Sequence, residues 1–240
     1  MNSLARIHMK MYFKQLLDEA LGPPEPGKPL AGSDRWPMEG SPDVVQLRTY
    51  EAAGRVPVID TSALVHETAV LIGDVRIGPD CYIGPHSVCR GDQGSIVIGR
   101  GTSLQDCCVV HTRPGGRVAV GELGQIGHGA MLHGCTIGRN VLIGMGAIIL
   151  DDAVIEDDAM VGAATLVTAG QRVPARMLVR GNPGKIAREV TGAELASKEE
   201  ITMRYVSIAR SREGARRAPA HIQGMAGRWG GEHPWRREGA

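Results

Sequence analysis

From Ile77 onward the chain repeats itself every six residues. IGPDCY is followed by IGPHSV, CRGDQG breaks the pattern, and IGRGTS and LQDCCV resume it. The longest run, IGRNVL, IGMGAI, ILDDAV, IEDDAM and VGAATL, steps through Ile137, Ile143, Ile149, Ile155 and Val161. Each unit opens on an aliphatic residue and carries a small or β-branched residue at its fifth position: Cys81, Ser87, Thr102, Cys108, Ala130, Val141, Ala147, Ala153, Ala159 and Thr165. A period of six cannot come from a helix of 3.6 residues per turn, and irregularly spaced strands of a sandwich would not keep it. A short strand and a tight corner, repeated around a coil, would. The aliphatic residue then fills a narrow interior, the small residue sits near the corner, and Gly or Asn relieves the backbone where it turns. Two interruptions, near residues 92–97 and 112–119, are rich in Gly and polar residues and are expected to be loops leaving the coil.

Composition fits so thin an interior: the 240 residues include 33 Gly, while Phe, Tyr and Trp together make up 3%. A formal charge of +1 gives no reason to expect nucleic acid or an anionic membrane as a partner. No apolar run reaches the roughly 18 residues that a membrane-spanning helix needs. Residues 1–20 interleave apolar positions with Lys10, Lys14, Asp18 and Glu19, unlike a signal peptide. Five cysteines without a CxxC point to reduced thiols and a cytoplasmic location.

Four segments are expected. Residues 1–54 form an N-terminal extension, partly disordered, with a short amphipathic helix from Met9 to Leu21 and a Pro-rich stretch from Pro23 to Pro42. Residues 55–180 form the repeat domain. Residues 181–211 hold a turn at GNPGK and a helix through Arg210, opened by Thr191 and Glu194 at capping-box spacing, with Leu195, Ile201, Tyr205 and Ile208 as its apolar stripe. Residues 212–240 read as a disordered tail. The repeat resembles the hexapeptide-repeat superfamily. That resemblance implies an all-β solenoid, a left-handed parallel β-helix in which each hexapeptide is one face of a triangular prism, here followed by the C-terminal α-helix.

Of eight histidines, three can be placed on this grid near its centre. His111 and His133 each follow an inward aliphatic residue, so strand alternation turns both outward. They lie 22 residues apart, one coil of three hexapeptides plus the excess of the second interruption. They should therefore stack on one outer face at the spacing of neighbouring strands, about 4.7–4.9 Å. His128 belongs to the preceding face and should not reach them within one chain. A second copy could bring it to them, and threefold symmetry would then create three equivalent three-histidine sites. Three neutral imidazoles with an open fourth position form a catalytic zinc arrangement. Arg90 and Asp92, in RGDQG, fall near the column of His111, and Gln105 and Asp106 near the face of His128. They are candidates for substrate or second-layer contacts, or for a structural ion pair between copies. His66 and His86 read as solvated surface residues.

RGDQG at 90–94, LQDCCVVH at 104–111 and GHGAMLHGC at 127–135 resemble the γ-class carbonic anhydrases and, more closely, the related proteins encoded with carnitine and phenylacetate metabolism. The resemblance covers about residues 55–210. It implies a homotrimer with zinc or iron on His111, His128 and His133, a polar shell of Arg90, Asp92, Gln105 and Asp106, and reversible hydration of carbon dioxide to bicarbonate by a metal-bound hydroxide. Cobalt or nickel would also suit imidazole ligands. Two departures matter: Gln93 stands where the founding enzyme has a glutamate, and TRPGGR at 112–117 replaces an acidic loop. Both proton carriers are thus lost. An acyl-CoA thioesterase using the same metal is the next expectation, with Arg113 free to meet a coenzyme A phosphate. A metal-free hexapeptide acyltransferase and a non-catalytic trimeric scaffold follow.

Overall fold

The computed structural model describes residues 47–211, which form twenty strands and one helix. The extension before residue 47 and the tail beyond residue 211 lie outside the described residues, as do the helix and Pro-rich stretch expected there.

The strands coil left-handed into three parallel faces. Leu142 pairs with Met160 and Met160 with Leu178, so a regular coil takes eighteen residues. Successive coils place Ile77, Ile98, Val120, Ile137, Ile155 and Val173 over one another, every one fully buried. All ten small or β-branched fifth-position residues are buried too. Removing most of one such side chain, as in Ile→Ala, costs about 2–5 kcal/mol, because a one-residue-wide interior has little room to collapse.

The residue just before each small one turns the corner in the left-handed region. Gly101, Gly129 and Gly146 do this, and so do Asp80, His86, Cys107, Asn140, Asp152, Asp158 and Ala164. Each non-Gly corner costs about 1–2 kcal/mol, which the coil above and below must offset. Glycine is therefore not obligatory at these corners, and the sequence signal there is correspondingly diffuse.

The two interruptions differ from each other. Residues 92–97 do not leave the coil: one strand, Val88–Ile98, runs through them and pairs with Val70–Ile77 around the corner. Residues 112–116 do form a turn, before the strand Arg117–Val120. The two lie against each other, with Gly115 N donating to Gln93 O at 2.8 Å and Ser95 N to Gly116 O at 3.2 Å. A Cβ on Gly94 would come within 2.2 Å of Gly116 O, so this stacking requires glycine.

The ends also depart from expectation. The strand Arg48–Tyr50, within the expected extension, pairs with Val70–Ile72. After GNPGK the chain reverses into an antiparallel strand, Lys185–Glu189, against Met177–Arg180 before the helix begins. The helix, Gly192–Ser211, opens on the expected capping box: Thr191 N donates to Glu194 Oε2 at 2.9 Å, and Glu194 N to Thr191 Oγ1 at 3.3 Å. Its expected apolar stripe is displaced. Lys198, Thr202, Val206 and Ala209 face the solenoid, while Ile201 is exposed. Thr202, Val206 and Ala209 are small enough for the helix to lie close, and Lys198 Nζ reaches Leu123 O and, at 2.6 Å, Asn140 Oδ1. Arg210 clamps Asp80 with two bonds of 3.0 and 2.9 Å. No described helix is long and apolar enough to cross a membrane.

Candidate functional site

Three successive coils bring Arg90, His111 and His133 into register on one outer face. The preceding residues, Cys89, Val110 and Leu132, are fully buried, and this inward anchoring turns the three polar side chains outward. His111 Nδ1 lies 3.1 Å from His133 Nε2, and the ring centroids are 5.1 Å apart. This is the stacking that the repeat grid predicts.

Each ring meets a carboxylate on its far nitrogen. His111 Nε2 is 3.3 Å from Asp92 Oδ1, and Asp92 Oδ2 accepts from Arg90 Nη1 at 2.8 Å. His133 Nδ1 is 2.9 Å from Asp151 Oδ2. Burial disfavours the charged form of His111, and the Arg90 cation adds to this; together they outweigh Asp92 and hold its pKa below the ordinary imidazole value. At Asp92 partial burial is outweighed by the bond and charge of Arg90, so its pKa lies below the usual carboxylate range. Both shifts favour a neutral His111 beside an ionised Asp92 near neutral pH.

On the neighbouring face, His128 Nδ1 lies 3.4 Å from Asp106 Oδ2, and both side chains are nearly half exposed. Gln105 is buried, with its backbone N bonded to Ile126 O. The partner of His128 is therefore Asp106. Among the described residues, no group of three His, Cys, Asp or Glu side chains converges closely enough to hold a metal ion.

Sequence reasoning missed Asp151. The cause is a coil one residue short: Leu132 pairs with Ile149, only seventeen positions on, so Asp151 lies one position past the one in register with His133. Its DD dipeptide in ILDDAV looks like the corner acids of IEDDAM, and the motif alone does not separate them. Arg113, expected to be free for a phosphate, meets two aspartates. Its Nη2 donates to Asp152 Oδ1 at 3.0 Å and its Nη1 lies 3.3 Å from Asp151 Oδ1, so it is engaged within the chain. Gln93 lines a cleft of about 360 Å³ with Asp92, Arg55 and Asp74, floored by the glycines of the two stacked segments. All five cysteines are free thiols. Burial pushes Cys81, Cys108 and Cys135 up to about 12, and Cys89 higher still, which removes these four as nucleophiles. His66 Nδ1 is engaged with Thr68 Oγ1 at 2.9 Å, away from the pair.

A left-handed coil of six-residue repeats that displays histidines in register on its outer surface defines a hexapeptide-repeat protein. The protein-family profile described as bacterial transferase hexapeptide (six repeats) matches residues 134–169. The carnitine operon protein CaiE of Salmonella newport is 46% identical over 160 residues, 67% of this chain and 81% of its own length. That of Salmonella agona is 43% identical over the same span. The chain belongs to the family of the carnitine operon protein CaiE. Among solved structures, a hexapeptide transferase family protein of Anaplasma phagocytophilum matches at 37% identity and a TM-score of 0.65, over 68% of this chain and 96% of that one. A Bacillus cereus protein, solved as a candidate acetyltransferase, matches at 34% identity and 0.66, over 68% and 95%.

Proposed function

We propose that the chain is a metal-dependent enzyme of γ-carbonic-anhydrase-like type, acting on an electrophilic carbon, with carbon dioxide as its first candidate substrate. The observation that carries this reading is the pair of facing nitrogens. With both carboxylates ionised, each only accepts, and the Nε2 of His111 and the Nδ1 of His133 would each carry a proton toward its aspartate. In neutral rings, the two nitrogens 3.1 Å apart then both present lone pairs. Lone pairs so placed repel unless a cation, or a shared proton, takes them up. The burial and Arg90 charge that disfavour protonation of His111 support the metal cation. An imidazole whose far nitrogen donates to a carboxylate is the usual form of a metal-ligating histidine. His111 and His133 would hold the ion together with His128 of a second copy, and zinc, iron, cobalt and nickel all suit imidazole. Such an ion, when bound, supplies a Lewis acid able to activate water or polarise a carbonyl-type oxygen near neutral pH.

The chain's own residues would do the rest. Asp92 orients His111, and the half-exposed Arg90 offers its remaining donors to an anionic product such as bicarbonate. Gln105 and Asp106 belong to the half of the site contributed by the face of His128. Gln93 carries an amide and cannot relay a proton, which favours slow turnover on carbon dioxide.

Self-association into a homotrimer is supported by the surface around the histidines. Met131 and Ile148 pair in register beside His133 and are 41% and 38% exposed, and Met145, next to the corner of His128, is 59% exposed. A neighbouring copy would bury these apolar groups while delivering His128.

Acyl transfer or thioester hydrolysis is the second reading. The two solved relatives are described as transferases, and the cleft beside Asp92 is larger than carbon dioxide requires. These findings favour an acyl substrate, while the facing nitrogens favour a metal. With Arg113 already held by Asp151 and Asp152, a coenzyme A phosphate would need another anchor.

The test is to purify the protein without added metal, quantify bound zinc and iron, and assay carbon dioxide hydration, acyl-CoA hydrolysis and acyl transfer in parallel, with His128→Ala as the control. About one metal per chain and an activity lost in His128→Ala are expected. A metal-free protein that transfers acyl groups would overturn the metal reading in favour of the acyltransferase, and one inactive in every assay would leave the scaffold.

A further inference from the structure

We infer that Asp151 is a positioning residue for His133, and that Arg113 steers it from the 112–116 turn. Four observations converge. Asp151 Oδ2 lies 2.9 Å from His133 Nδ1, short enough to fix which ring nitrogen carries the proton. Its other oxygen is buried without a hydrogen bond and faces Arg113 Nη1 at 3.3 Å. Arg113 is held a second time through Asp152, so its guanidinium spans both acids. Finally, Gly134 turns the shortened corner at a φ of +56°, and a Cβ there would lie 2.0 Å from Asp151 Oδ1. The carboxylate therefore has one seat, made by a glycine on one side and an arginine on the other.

The consequence is directional. With its proton fixed on Nδ1, His133 keeps the Nε2 lone pair aimed at His111. Without the carboxylate, an imidazole in water prefers the proton on Nε2, the nitrogen that faces His111. The 112–116 turn stacks on residues 93–95, and from it the Arg113 side chain reaches past the coil of His133 to Asp151 and Asp152, so moving Arg113 would move the acceptor that sets the tautomer. The turn that lacks an acidic proton carrier thus serves instead as a strut for the histidine pair.

The inference rests on the reading of His111 and His133 as a ligand pair, but one arm of its test does not. In full-length, metal-free protein near pH 8, where ordinary imidazoles are neutral, nitrogen-15 imidazole spectra should show His133 protonated on Nδ1. Asp151→Ala should move the balance toward the other tautomer, and Asp151→Asn, which keeps an oxygen acceptor, should restore it. Arg113→Ala should give an intermediate shift that Arg113→Lys largely repairs. In the second arm, zinc affinity measured by competition should fall about 10–100-fold in Asp151→Ala, and less in Arg113→Ala. If Asp151→Ala fails to fold, Arg113→Ala and Asp151→Asn decide by the same spectra. An unchanged His133 tautomer in Asp151→Ala, or in Arg113→Ala where that variant decides, would overturn the inference. Wild-type protein that binds no zinc would overturn the proposed function while leaving the tautomer arm to judge this inference alone.

Discussion

At the scale of single residues, the interior column and the outer column follow different rules. Inward positions are held by volume alone. Ile149→Ala should lower the unfolding free energy by about 2–5 kcal/mol in urea titrations, and Ala153→Leu, which overfills a corner, by about 1–3 kcal/mol. Outward positions are held by register, which is why the pairing of His111 with His133 could be read from spacing: a six-residue period and one counted excursion determine it. Asp151 could not be read the same way. Its place depends on the five-residue unit Leu132–Thr136, which spacing reveals, but spacing does not say that the shortened corner at Gly134 brings this particular acid against the ring of His133. Asp106 is a candidate from sequence, but its contact with His128 depends on where the corner falls within the repeat.

At the scale of elements, the helix shows how a correct boundary can carry a wrong face. The capping box locates its start because Thr191 and Glu194 act locally. The buried side could not be found from hydrophobicity, since two of its four residues are Lys198 and Thr202. Burial holds the pKa of Lys198 down to about 8, against 10.5 for the free group. The sign follows from proton binding: between these values the unfolded chain holds more protons on this lysine than the folded one, so its contribution to stability rises with pH across that window. Unfolding free energies of the wild type from urea titrations should therefore gain on those of Lys198→Met between pH 8 and 10, by on the order of 2 kcal/mol. Equal slopes in the two proteins would show that the ammonium stays charged, satisfied by Leu123 O and Asn140.

At the scale of the whole molecule, the prism is a stack in which the strands of each coil pair only with those of the coils next to it, so a site built from adjacent coils is stabilised chiefly by what lies just above and below it. One chain cannot bring His128 to the other two histidines, and this geometry makes association testable apart from catalysis. Light scattering should give about three times the 25.5 kDa chain mass for the wild type and a shift toward one chain for Ile148→Asp. The reversed strand Lys185–Glu189 has a different consequence. Parallel β-edges are templates, and a regular solenoid presents one at each end. Here the last rung of one face runs backward, is exposed along its length, and carries Lys185, Arg188 and Glu189. A second molecule arriving end-on would find the wrong chain direction and a row of charges. On that face the fold carries its own stop signal against end-on growth of a repeat that could in principle extend into a fibre.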